Sequence, residues 1–303
     1  MAKQKESDKK QVDNYKKDSE APLPKGRLLA IGGKEDKGEE DGRKKEQTTN
    51  KEFESEEILK FFVSQLKGDK PTIAVIPTAS NIPDEMGKDY VKLFKDLGIE
   101  NVEVLDIRDR ADAADPRNCD IVEKATAIYF TGGDQLRLTS ILGGTRVLQL
   151  MKKRYTYDDI LIAGTSAGAT ALSTPMIYEV DTKGGYLKGD VRVTTGLEFL
   201  KNVAVDTHFI QRGRLVRMAQ CITTNPGCIG VGLEEDTAAF ITEGHNLEVI
   251  GSGLITIVDG MGLTKTNIYD ISTGEVFSAH DLRVHLLAKG ERYIFPTFEQ
   301  LHA

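Results

Sequence analysis

A serine set among small residues is the first position that reads as chemistry. Gly164-Thr165-Ser166-Ala167-Gly168 follows the apolar run Ile160-Leu161-Ile162-Ala163 and precedes Ala169-Thr170-Ala171-Leu172. Strand, tight turn and helix form the context in which G-x-S-x-G holds a serine on a strained, accessible turn at the top of a sheet. The helix N-terminus beneath that turn favours developing negative charge. Glycine-flanked serines also occur in phosphate loops and ordinary turns, so the motif needs partners. A serine hydroxyl is a weak nucleophile until a base takes its proton. Of the five histidines, His208 closes the run Val203-Ala204-Val205-Asp206-Thr207, at the C-terminal edge of a predicted strand, where α/β sites assemble. His245 falls in a predicted hairpin turn, His302 next to the last residue, and His280 and His285 in a late segment without a glycine-bearing turn. His208 is therefore the preferred base.

The third member of such a relay is a carboxylate that fixes the imidazole tautomer. Glu234, Glu235 and Asp236 end the run Ile229-Gly230-Val231-Gly232-Leu233, and Glu235 is preferred, with Glu234 and Asp236 open. A polar strand end in solvent fits the same residues. The turn Thr131-Gly132-Gly133-Asp134-Gln135 ends the preceding predicted strand, so the N–H groups of Gly133 and Ala167 are candidates for an oxyanion hole. Gln135 would face the same cleft. Arg212, Arg214 and Arg217 follow His208 closely, which suits planar, bidentate recognition of carboxylates. A helix start whose arginines pair with surface acids is the plainer alternative.

The elements that must position these residues follow an alternating order. An apolar run over 27–31, closed by Gly32-Gly33, predicts a buried first strand. Helices are expected near 54–66 and 85–97, and strands over 72–78, 102–107, 127–131 and 160–165, the pattern of a mostly parallel sheet. Beyond residue 203 short strands crowd together, at 203–206, 228–233, 238–242, 247–250, 254–259 and 283–287, and predict antiparallel additions at that end of the sheet. Residues 1–25 are nearly devoid of aliphatic side chains and read as a disordered charged leader, leaving 26–303 as one α/β hydrolytic domain. The charged stretch from Lys34 to Lys51 reads as a solvated loop.

At 303 residues, with 39% apolar and 29% charged residues, the chain has the profile of a globular protein with a substantial core. A net charge of −7 argues against nonspecific nucleic-acid binding. No apolar run reaches the ~18 residues of a membrane span. The basic N-terminus lacks the apolar segment of a secretory signal, so a cytoplasmic location is expected. Cys119, Cys221 and Cys228 match neither a disulfide framework nor a metal-binding spacing, and no metal site is expected.

Taken together, Thr131-Gly132-Gly133-Asp134-Gln135, the Ser166 elbow, Asp206-Thr207-His208-Phe209 with its three arginines, and Glu235-Asp236-Thr237-Ala238 resemble the cyanophycinases over roughly residues 26–290. These belong to the serine peptidase group that includes aspartyl dipeptidase. The resemblance implies a three-layer α/β/α sandwich like that of class I glutamine amidotransferases, and a Ser-His-Glu triad at Ser166, His208 and Glu235. It places Gln135, Asp206, Arg212, Arg214 and Arg217 along the substrate pocket. Thr207 stands where some members carry glutamine, so that subsite departs from the pattern. The implied substrate is cyanophycin, a polyaspartate whose β-carboxyls carry arginine, released as β-aspartyl-arginine dipeptides. No cofactor and a homodimer are implied. An α-aspartyl dipeptidase and a noncatalytic binder of aspartyl or arginyl ligands are the alternatives.

Overall fold

The computed structural model of the chain describes residues 22–38, 50–180 and 184–296. The expected leader lies outside the described residues up to residue 21, as do residues 39–49 of the charged stretch.

Five strands make the parallel part of a central sheet: β1 (Arg27–Ile31), β2 (Thr72–Ile76), β3 (Asn101–Val104), β4 (Ala127–Phe130) and β5 (Leu161–Thr165). They run in the order β1-β5-β4-β2-β3, with Leu28 and Ile128 both in register with Ile162. Later strands are β6 (Val203–Thr207), β7 (Ile229–Leu233), β8 (Thr237–Thr242), β9 (Asn246–Gly251), β10 (Ile255–Asp259), β11 (Arg283–Leu287) and β12 (Arg292–Ile294). The antiparallel strand β8 closes the open edge of β1, and β9 and β12 extend the sheet to eight strands.

The sequence pattern places all the late strands at the end of one sheet, but in the structure only some of them join it. A second, six-stranded sheet contains the parallel pair β6 and β7, the antiparallel strands β10 and β11, and the short strands Ser173–Thr174 and Leu200–Lys201. Burial explains why the sequence could not separate the two sheets. Val203, Val205, Val231, Leu233, Ile255 and Ile257 share a core with Leu28, Ala30 and Ile128 of the central sheet. Ala204 and Val258 face outward against Met218, Cys221 and Ile222. A strand apolar on both faces does not encode which sheet it joins.

The helices are α1 (Glu57–Ser64), α2 (Pro83–Asp96), α3 (Pro116–Lys124), α4 (Gln135–Leu142), α5 (Arg146–Tyr157), α6 (Ala167–Ala171) and α7 (Leu215–Thr224). Alternate residues of the central strands point to opposite faces. Leu29, Ile31, Val75, Tyr129 and Ala163 meet Ile58, Leu59 and Phe62 of α1 and Tyr90 and Phe94 of α2. On the other face Leu28, Ala30 and Ile162 meet Val122 of α3, Val147 and Met151 of α5, and α6. The expected mixed α/β architecture, with helices on both faces of a large central sheet, is thus present. Helix α7 covers the far side of the second sheet. Among the described residues no helix is long and apolar enough to cross a membrane.

Candidate active site

Ser166 sits between β5 and α6 with φ 51° and ψ −114°, a conformation that L-residues rarely adopt and that costs about 1–3 kcal/mol. The flanking glycines make the turn sterically feasible. A Cβ on Gly164 would lie 2.5 Å from the Gly168 carbonyl carbon, and one on Gly168 would lie 2.5 Å from the Phe130 carbonyl oxygen. Strand, helix and neighbouring strand approach more closely than any side chain permits, which is why glycine stands two residues either side of the serine.

His208 follows the last residue of β6, also at positive φ (50°), and is buried. Its Nε2 lies 3.0 Å from Ser166 Oγ, and its Nδ1 lies 2.7 Å from Glu235 Oε1. A carboxylate can only accept, so Nδ1 carries the ring proton and Nε2 is left to accept from the serine hydroxyl. This is the arrangement in which an imidazole withdraws a proton from serine while a carboxylate steadies the resulting charge. Lys34 Nζ lies 3.3 Å from the same Glu235 oxygen.

Glu234, Glu235 and Asp236 are buried where the chain passes from β7 of the second sheet to β8 of the central sheet, so they are not a solvated strand end. Their neighbours divide their roles. Glu234 Oε1 accepts from the Ile210 N–H at 2.7 Å, and Asp236 accepts from the Asp36 N–H at 3.0 Å and from the Ser252 hydroxyl at 3.0 Å. Burial holds the carboxyls of Glu234 and Asp236 above their ordinary values.

The residues after β1 tie the site together, a role the sequence reading missed. Consecutive carbonyls of Ile31, Gly32 and Gly33 accept from the N–H groups of Ser166 (3.0 Å), His208 (3.2 Å) and Asp236 (3.1 Å). One short stretch of backbone thus holds all three loops. Gly33 (φ 93°) is pressed against the catalytic-type pair: a Cβ there would fall 2.7 Å from His208 Nε2 and 3.1 Å from Ser166 Cβ. The only trace of this in sequence is the Gly-Gly pair that closes the first strand.

The expected solvated loop is also corrected at its start. Glu35 and Asp36 are buried, because their carboxylates find donors inside the fold. Glu35 bonds to Thr165, Tyr90 and Tyr129, and Asp36 accepts from the Ser55 hydroxyl and the Glu56 N–H.

Gly132 approaches Ser166, with a built Cβ 3.5 Å from the serine Cβ, while Gly133 (φ 143°) lies against the Ala79 carbonyl. Ala167 opens α6 directly after the serine. Gln135 directs its amide to the carbonyls of Ile177 (3.1 Å) and Tyr178 (3.5 Å). Asp206 is buried, and it accepts from Arg214 Nη1 (2.8 Å), Arg217 Nε (2.6 Å), Arg217 Nη2 and the Thr207 N–H (2.9 Å). Two of the three arginines therefore pair with a buried acid of the same segment rather than with surface acids. Thr207 is buried, and its carbonyl accepts from Arg214 Nη1 at 2.6 Å. Burial draws the Arg214 guanidinium down to about 10, with Asp206 opposing, so it stays charged at neutral pH. Arg212 is exposed.

Residues 47–249 match the model of peptidase family S51. The chain belongs to peptidase family S51. This S51 member is a serine-type peptidase. It is 35% identical to a cyanophycinase from Geminocystis herdmanii over 88% of its own length and 92% of that protein's. It is also 35% identical to a cyanophycinase from Synechococcus elongatus over 92% and 82%. The crystal structure of a peptidase from an acI-B1 Actinobacterium matches 90% of the S51 chain and 98% of its own, with a TM-score of 0.64. At 23% identity, that likeness is one of fold.

Proposed function

We propose that the chain hydrolyses cyanophycin through Ser166, His208 and Glu235. The observation that carries the reading is the unbroken path from Ser166 Oγ through His208 to Glu235 Oε1, at 3.0 and 2.7 Å. Ser166 Oγ attacks the aspartyl backbone carbonyl as His208 Nε2 takes its proton. The tetrahedral oxyanion is met by the N–H groups of Gly133 and Ala167. His208 then returns the proton to the leaving amine, and the C–N bond breaks to leave an acyl-enzyme. Water attacks that ester with His208 as base, and Ser166 regains its proton.

The substrate assignment is supported by the similarity to proteins named cyanophycinase and by the charge around His208. Arg214 and Arg217 share the one carboxylate of Asp206, and the exposed Arg212 adds a third guanidinium in the same segment, which leaves the patch positive and suited to aspartyl carboxylates. Gln135 and Thr207 border the same pocket in this reading. Residues 26–303 acting as one hydrolytic domain, a homodimeric assembly and a cytoplasmic location belong to the same proposal.

The test is incubation with purified cyanophycin and mass analysis of the products. Wild type should release β-aspartyl-arginine, and Ser166→Ala should release none while keeping its fold by circular dichroism. Turnover in Ser166→Ala would remove the mechanism. Release from free aspartyl dipeptides but not from the polymer would reassign the substrate, and no turnover of either would favour a binding protein.

A further inference from the structure

Glu35 has no part in the reaction as described, yet it is a carboxylate buried beside it, only 6% exposed. Its Oε2 accepts from Thr165 Oγ1 at 2.7 Å. Its Oε1 accepts from the Tyr90 hydroxyl at 2.8 Å and the Tyr129 hydroxyl at 3.3 Å. The three donors come from the end of β5, from α2 and from β4, so the carboxylate joins three elements. Burial, reinforced by the charge of Glu35, holds both phenols well above their ordinary value, and they remain neutral donors. Lys37 Nζ stands 4.4 Å over the Tyr90 ring and adds a positive charge next to the cluster.

A core does not need an ion at this place. Apolar side chains of the same volume generally stabilise a fold as well as a buried charge does, or better. What the carboxylate adds is a direction, because a charge-assisted bond is short and geometrically strict. That direction falls on Thr165, the residue before the strained serine. A conformation such as that of Ser166 persists only where its surroundings over-determine it. The Ile31 carbonyl holds the serine N–H on one side, and the Thr170 N–H donates to the serine carbonyl at 3.0 Å on the other. Neither fixes the side chain of Thr165, whose backbone leads into the turn.

We propose that Glu35 is a positioning residue for the reaction: through Thr165 it holds the turn that keeps Ser166 Oγ in line with His208 Nε2, and Tyr90 and Tyr129 hold Glu35 in place. The inference rests on Ser166 being the nucleophile, but not on the identity of the substrate.

The test compares Thr165→Val, which removes the donor at nearly constant shape, with Thr165→Ser, which restores it. Two readouts are taken: the rate of Ser166 labelling by a fluorophosphonate, and kcat and KM on cyanophycin per labelled site. Loss of a bond to a charged group corresponds to a fall of about 10- to 100-fold. Thr165→Val should lose that factor in labelling rate and kcat while KM stays within about twofold, since Thr165 is not placed against substrate. Thr165→Ser should regain most of it. Tyr90→Phe, which removes the closer donor to Oε1, should move the same two quantities in the same direction by a smaller factor, and it keeps the test open if Thr165→Val does not fold. A merely structural role would lower the number of labelled sites and leave the rate at each site unchanged. Wild-type rates per site in Thr165→Val, or in Tyr90→Phe where the former is unfolded, would overturn the inference. Ser166→Ala is run alongside: turnover or labelling that survives in it would instead remove the nucleophile on which the inference stands.

Discussion

Replacing Gly33 by alanine separates two penalties that usually arrive together. A Cβ at position 33 would lie 2.7 Å from both Cε1 and Nε2 of His208 and 3.1 Å from Ser166 Cβ. Ordinary carbon contacts begin near 3.5 Å, so the overlap with the imidazole is about 0.8 Å. Relief must come from the histidine ring, since the Gly33 backbone is held by Asp236 and its neighbour Gly32 by His208 and Thr237. A displacement approaching 1 Å at a reacting group costs about 100-fold in rate. The φ of 93° adds backbone strain of about 1–2 kcal/mol for any residue with a Cβ. Gly68 supplies the control, because it has a similar φ of 85° and nothing within 4 Å of its built Cβ. Both alanine variants should therefore lose a comparable increment of stability to strain, read as the midpoint of urea unfolding. Only Gly33→Ala should lose about 100-fold in kcat on the labelled, folded fraction. If Gly33→Ala keeps kcat within about threefold of wild type, the close packing of Gly33 on His208 does not control the reaction and the reasoning fails.

Two further outcomes follow from the charges around the site. Asp206→Asn leaves the mostly buried Arg214 and Arg217 without their carboxylate, and breaking such a group on one side costs about 3 kcal/mol, to be read as a lower urea midpoint with little change in the slope. A midpoint equal to wild type would mean that solvent already screens the arginines. Glu234 has its carboxyl raised mainly by burial, so over the interval between the ordinary and the raised value the folded protein binds a proton that the unfolded chain has released. The associated stability is complete below the ordinary carboxylate value of about 4.3 and is lost as pH rises through the raised one. Glu234→Gln should therefore flatten the decline in stability above about pH 4.3, measured as urea midpoints against pH; an unchanged slope would assign the decline to other groups.

How much of the site is legible in sequence depends on how local each part is. The Ser166 elbow can be read directly, because strand, glycine-flanked turn and helix are adjacent in the chain and the steric need for Gly164 and Gly168 is met within a few residues. His208 can be read as a strand-end residue, and Glu234, Glu235 and Asp236 as a strand-end trio. Glu35 and Asp36 could not be read in this way. Within a run of charges they look solvated, and nothing nearby reveals that Tyr90, Tyr129, Thr165 and Ser55 wait for them in the fold.

The α/β class, the order of the parallel strands along the chain and the residue types proposed for the chemistry can all be read before any coordinates. Each of these follows from hydrophobic period and turn composition, which are local properties. Folding sets which sheet carries His208, which of three neighbouring acids meets its imidazole, and that Ile31, Gly32 and Gly33 clasp all three loops. Those outcomes depend on the register of β1 between β5 and β8 and on the stacking of a second sheet over the first. Contacts of that kind bring together residues more than 100 positions apart, and only the shared burial of their strands sets them.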